Sequence, residues 1–136
     1  FILDFLKGTL AAFIGEKIAG DNGMYLAMLV VVLGHMYSFI LNFKAGKGIA
    51  TVFGALVYIK PVFALSLFAV FFIIVFISRI VSLGSICVCV VAIFASLIKY
   101  GVNYFSVSLS IIAVTIIIKH RANIRRLLNG EEKKIF

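Results

Sequence analysis

Residues 62–77 read VFALSLFAVFFIIVFI, an apolar stretch without a single charge. Such a stretch needs a large protein interior or lipid around it, because each methylene left in water costs about 0.8 kcal/mol. The chain offers no large interior. It has 136 residues, 64% hydrophobic and 13% charged, where a soluble domain carries about 25% charged residues, and its mean hydropathy is +1.23. These values exclude a soluble enzyme, a disordered tail and a nucleic-acid-binding arm. They leave an all-α, polytopic integral membrane protein, a bundle of about five to six spanning or half-spanning helices.

The other apolar runs cover residues 1–19, 24–41, 49–59, 80–98 and 102–118. Several are shorter than the roughly 20 residues of a full span, which predicts tilted, half or broken helices as well as complete ones. In the first run Asp4 and Lys7 stand three apart, placed to pair on one helix face. Gly8 with Ala12, and Ala11 with Gly15, offer small-residue contacts for close helix packing. Asp21-Asn22-Gly23 reads as the turn that follows, and Lys60-Pro61, Ser78-Arg79 and Lys99-Tyr100-Gly101 read as the later breaks. No linker or internal repeat divides the chain, so residues 1–136 read as a single membrane domain ending in a basic tail helix over 119–136. The chain begins at Phe1 inside an apolar run, without a recognisable signal peptide, and reads as a fragment whose natural N-terminus lies upstream. Cys87 and Cys89 sit two apart in one apolar run, where thiols pack as small hydrophobes.

Net charge is +8, from 13 basic and 5 acidic residues. The tail carries Lys119, Arg121, Arg125, Arg126, Lys133 and Lys134 against Glu131 and Glu132, which places it on the cytoplasmic side. Counting spans back from the tail puts Arg79 and the loop bearing Lys44 and Lys47 on that side too. Lys60, Lys99 and Asp21 fall on the other.

Two segments carry chemistry. In Asn42-Phe43-Lys44-Ala45-Gly46-Lys47-Gly48, two glycines flank a lysine just before a helix. Glycines permit the positive φ angles of an anion nest, and the helix that follows aims free N–H groups at the same point. The pattern suits a phosphate held by Gly46, Lys47 and Gly48 with Lys44 beside them; a plain cytoplasmic connector would have a similar composition. Leu41 and Gly48 depart from the nucleotide-binding P-loop, so an NTPase is not expected. The second segment is the tail. Continued as a helix it puts His120, Asn123 and Leu127 on one face, with Gly130 as its cap, although a positive-inside stop signal would also be this basic. His35, inside an apolar run next to the loop, reads as a neutral histidine bonded to a neighbouring helix or as a group orienting the loop. Arg79 reads as a snorkelling arginine, or as a further phosphate ligand if it shares a face with Lys47. No His, Cys or carboxylate cluster has metal-ligand spacing.

The stretch Gly34 to Thr51 resembles the motif G-H-x-(aromatic)-x-F-x-x-F-x-G-G-K-G-x-A-T of one family, the bacterial membrane glycerol-3-phosphate acyltransferases that use acyl phosphate (the PlsY family). The aromatic Tyr37 stands one step off, and Ala45 stands for the first glycine of its pair. His120, Asn123, Ile124, Arg126, Leu127, Gly130 and Glu132 resemble a further motif of that family, as do Asp4-x-x-Lys7-Gly8 and the stretch from Ser78 to Ser85. The family's first motif would lie upstream of Phe1.

The resemblance implies transfer of a fatty acyl group from acyl phosphate to the primary (sn-1) hydroxyl of glycerol 3-phosphate, giving lysophosphatidate and phosphate, the first step of phospholipid synthesis. It implies Lys47, His120 and Asn123 as catalytic residues, Lys44, Gly46, Lys47, Gly48 and Arg79 as phosphate ligands, and His35, Ser82 and Glu132 as supports, with Glu132 paired to tail cations. His120, with a free pKa near 6.5, suits a general base, and a substrate phosphate oxygen could take the proton instead. No cofactor or nucleic acid is implied. Membrane lipids and the soluble enzyme that makes acyl phosphate are the implied partners, and the location is the bacterial inner membrane. A small anion transporter is the competing reading; it would show paired interrupted segments, and one Gly-Lys interruption is evident.

Overall fold

Each apolar run becomes a helix, since a chain in lipid must satisfy every backbone N–H and C=O within itself. The computed structural model describes residues 1–38 and 46–136. It contains α1 (Ile2–Met36), α2 (Ile49–Ile59), α3 (Pro61–Ser78), α4 (Val81–Tyr100), α5 (Tyr104–Lys119) and α6 (Arg121–Leu128), with no strand among the described residues. Lys44 and Ala45 lie outside those residues.

The first helix is folded back on itself. In a straight helix, with a rise of about 1.5 Å per residue, Lys7 and His35 would stand about 42 Å apart. Here Lys7 Nζ lies 2.8 Å from His35 Nδ1. The reversal falls at Ala19 and at Gly20, whose φ of 62° and ψ of −148° are open to glycine and costly for residues with a Cβ. The turn expected at Asp21-Asn22-Gly23 is thus displaced: those residues open the second arm, where Asp21 faces the positive end of the helix dipole. Gly15 and Gly23 meet across the arms, backbone against backbone. The small-residue stripe is Gly8, Ala12 and Gly15, and part of it serves α2 as well. A Cβ on Gly8 would strike the Thr51 carbonyl, and one on Gly54 would strike that of Phe5.

α2 has 11 residues, about 16 Å of helix, half a membrane. It starts beside the second arm's C-terminus and ends where Tyr58 bonds Glu16. Pro61 opens α3 at a position where its missing N–H costs nothing. Arg79, in the left-handed conformation at φ 64°, reverses the chain into α4. An Asn103–Ser106 capping box starts α5. α3 and α4 are each long and apolar enough to cross a membrane, α1 meets the same measure of length and composition but is folded back into two arms, and α5 with α6, bent by 56°, adds a further candidate.

The second arm of α1 is the spine. Met28, Val32 and Met36 are fully buried in one cluster with residues of α2 and with Phe105, Ile112 and Ile116 of α5. Leu3, Leu10, Phe72, Phe76 and Ile98 face outward, as lipid-facing surface requires.

The tail departs from the expected helix over 119–136. α6 ends at Leu128, and Gly130, at φ 72°, closes it with a Schellman motif: Glu131 N–H donates to the Arg126 carbonyl at 2.8 Å and Gly130 N–H to that of Leu127 at 3.1 Å. Residues 131–136 then run as a strap over the α3–α4 corner, where Ile135 N–H donates to the Arg79 carbonyl at 2.8 Å.

Candidate active site

The start of α2, the end of α5, α6, the first turn of α4 and both ends of α1 meet at one end of the bundle. They enclose a pocket of about 670 Å³ lined by Asp4, His35, Gly46, Lys47, Gly48, Ile49, Ser82, Ser85, His120, Asn123, Glu132, Lys133 and Lys134 among others. Of the candidate site residues that the resemblance implied, eight line it: Gly46, Lys47, Gly48, His35, Ser82, His120, Asn123 and Glu132. Arg79 does not. Its guanidinium stacks over the Phe136 ring at 5.2 Å, because the left-handed turn that makes the corner aims the side chain at the strap.

The Gly-Lys-Gly segment takes the shape its composition allows. Gly48 adopts φ 86° and no side chain caps α2, so the helix N-terminus opens toward the pocket with unpaired N–H groups. Lys47 Nζ donates to Asn123 Oδ1. Asn123 Nδ2 donates to Glu132 Oε1 at 2.5 Å, Ser82 Oγ donates to the same oxygen at 2.6 Å, and Arg126 Nε donates to Oε2 at 2.6 Å. The Asn123 amide has one possible orientation, because an ammonium only donates and a carboxylate only accepts. Hydrogen bonds from Ser82, Asn123 and Arg126 hold the Glu132 carboxyl down at about 2. Burial pushes Lys47 below its ordinary value, against the pull of Glu132. Lys47 is bonded to a neutral amide and forms no salt bridge among the described residues, so its charge faces the pocket without a direct ion-pair partner there.

His120 sits at the α5–α6 bend and is buried. Its Nδ1 lies 2.8 Å from the Ile116 carbonyl oxygen. A carbonyl can only accept, so Nδ1 carries the proton and Nε2 keeps a lone pair. Lys119 turns away: it donates to the Met36 carbonyl at 3.0 Å and stacks over Tyr37 at 4.1 Å, satisfying the C-terminus of α1.

The sequence presented Glu132 as a partner of tail cations. The Arg126 pair is that, but Ser82 and Asn123 make Glu132 the junction between α4, α6 and the strap. Nothing local announced this, since Ser82 is fifty residues away. Lys133 and Lys134 were not singled out as lining the pocket.

Next to the polar pocket, between α2, α3, α4 and α5, lies an apolar cavity of about 120 Å³. Leu56, Leu67, Val88, Ala92, Leu109 and Ile112 line it, and it shares Phe1, Ile49, Phe71 and Ser85 with the polar pocket.

A helical membrane bundle with a cationic pocket opening onto an apolar cavity defines a class: a protein built to hold an amphiphile with an anionic head. The comparisons make the class specific. The glycerol-3-phosphate acyltransferase family model matches residues 1–130. Glycerol-3-phosphate acyltransferases of Finegoldia magna and Clostridioides difficile are 39% and 42% identical, each alignment covering 99% of this chain and 69% of the relative. A crystal structure of PlsY, described as an integral membrane glycerol 3-phosphate acyltransferase in its glycerol 3-phosphate form, superposes with a TM-score of 0.92 at 36% identity, over 99% of this chain and 68% of that one. A second PlsY structure, in its lysophosphatidic acid form, matches with the same TM-score. This chain belongs to the glycerol-3-phosphate acyltransferase family and is a multi-pass membrane protein.

Proposed function

We propose that this chain forms most of a membrane acyltransferase that moves a fatty acyl group from acyl phosphate to the sn-1 hydroxyl of glycerol 3-phosphate, releasing lysophosphatidate and inorganic phosphate at the cytoplasmic face of the bacterial inner membrane. The observation that carries this reading is the junction at Ile49, Phe71 and Ser85, where a cationic pocket meets an apolar cavity. That junction fits the point where an acyl carbonyl must sit, between its chain and a phosphate. The relatives solved with glycerol 3-phosphate and with lysophosphatidic acid support the same assignment.

In this reading Gly46, Lys47, Gly48 and the N-terminus of α2 hold the phosphate of glycerol 3-phosphate, with Lys44 and the strap lysines adding field. Arg79 acts from outside the pocket, by fixing the strap. Asn123, aligned by Glu132, keeps Lys47 aimed. His120 Nε2 accepts a hydrogen bond from the primary hydroxyl, aligns it and takes its proton as the ester C–O bond forms. The acyl–phosphate C–O bond breaks and inorganic phosphate leaves. Acyl phosphate is a mixed anhydride with a good leaving group, so no acyl-enzyme is needed. Positioning and electrostatic stabilisation supply the rate. A soluble enzyme that makes acyl phosphate is the natural partner.

The test uses the full reading frame in membranes, with labelled glycerol 3-phosphate and either palmitoyl phosphate or palmitoyl-CoA. Lysophosphatidate from the phosphate donor alone is expected. Product from the thioester alone would overturn the donor assignment, and no product from either would favour an anion transporter.

A further inference from the structure

We propose that His35 is a direct ligand of the substrate phosphate, donating from Nε2–H beside Gly46, with Lys7 fixing the tautomer that makes this possible. This rests on the glycerol 3-phosphate reading of the pocket and adds a ligand that no motif argument assigns. Lys7 Nζ lies 2.8 Å from His35 Nδ1. An ammonium has donors and no acceptor, so Nδ1 must offer its lone pair, and in the neutral ring the proton sits on Nε2. Asp4 Oδ1 accepts from Lys7 at 3.3 Å and lies 3.5 Å from the same Nδ1, anchoring the ammonium. The ring's other nitrogen is turned to the glycine loop: a Cβ built on Gly46 would sit 3.0 Å from Nε2. Both His35 and Gly46 line the pocket, and the His35 side chain is only 8% exposed. The two histidines therefore face the pocket in opposite states. His120 offers a lone pair, suited to a hydroxyl, and His35 offers a proton, suited to an anion. The fold-back at Gly20 is what brings Asp4 and Lys7, at the start of α1, to His35 at its end.

Two near-isosteres separate the ring's functions. In His35→Asn the side-chain oxygen keeps the acceptor for Lys7 at the Nδ1 position, and the donor near Gly46 is gone. In His35→Gln the amide N–H₂ reaches the Nε2 position and keeps that donor. Glycerol 3-phosphate binding to the full-length protein in nanodiscs, measured by titration calorimetry without acyl donor, is expected to weaken about tenfold in His35→Asn, as for loss of one hydrogen bond to a charged group. It should stay within about threefold of wild type in His35→Gln, with melting temperature and acyl phosphate KM unchanged in both. Wild-type affinity in His35→Asn, or equal losses in the two variants, would overturn the proposal while leaving the pocket's function standing. A wild-type protein that binds no glycerol 3-phosphate would overturn both.

Discussion

The two ends of the bundle are built from similar materials and do opposite things with them. At the far end Phe63, Tyr100 and Phe105 meet edge to face with centroids 5.4–6.0 Å apart, Lys60 lies over the Tyr100 ring at 5.0 Å, and Tyr58 donates to Glu16. The named charges there have a partner supplied by packing. At the site end a carboxylate also gathers donors, but the chain of bonds from Glu132 through Asn123 stops at Lys47. That cation is left facing the pocket beside two positive-φ-permissive glycines and an uncapped helix. The same side-chain chemistry stabilises where it closes on itself and, in the proposed reading, binds where it is left one partner short.

The comparison breaks most visibly at Glu132. Glu132→Gln removes the carboxylate that orients Asn123 and holds the strap, and kcat/KM for glycerol 3-phosphate in membranes is expected to fall on the order of tenfold or more. Its sign with pH follows from the depressed carboxyl. A group near 2 in the folded protein and about 4.5 in the unfolded chain adds stability that is present above pH 4.5 and lost as pH falls toward 2. The wild-type melting temperature should therefore drop through that window more steeply than that of Glu132→Gln. Parallel acid profiles would remove Glu132 from its central place.

The smaller effect lies at the other end. Tyr58→Phe deletes the hydroxyl that meets Glu16 without touching the pocket. Its melting temperature should fall by about 4 °C at most, with glycerol 3-phosphate KM and kcat within about twofold of wild type. A large loss of activity there would mean the two ends are coupled and the contrast drawn between them is wrong.

The site was more legible in the sequence than the path of the chain. Gly46-Lys47-Gly48 and His120-x-x-Asn123 are local patterns, so spacing put them forward as candidates beside the readings of a plain connector and a stop signal, and the family resemblance gave them roles; the corner at His120 was not foreseen. Asp4 and Lys7 were legible as a pair from their spacing as well. Their third member, His35, was not, because it joins them only through a fold-back that the sequence suggested at Asp21-Asn22-Gly23 and the chain makes at Gly20. Composition cannot rank two adjacent turn signals when the deciding factor is where Gly15 can meet Gly23. Glu132 was underread for a related reason: its partner Ser82 is remote, and the strap that brings them together exists only because Gly130 ends α6 early. Arg79 had the right charge at the right end, but a left-handed backbone and the Phe136 ring settle where its side chain goes.

The most direct test of the central claim, that Lys47 is left unneutralised in order to take the substrate's phosphate, is the steady-state kinetics of Lys47→Ala in the full-length enzyme with both substrates varied. The account predicts that the KM for glycerol 3-phosphate rises by about 10- to 100-fold, the range for a lost charged hydrogen bond, while the KM for acyl phosphate moves little. An unchanged glycerol 3-phosphate KM, or a rise confined to acyl phosphate, would contradict it.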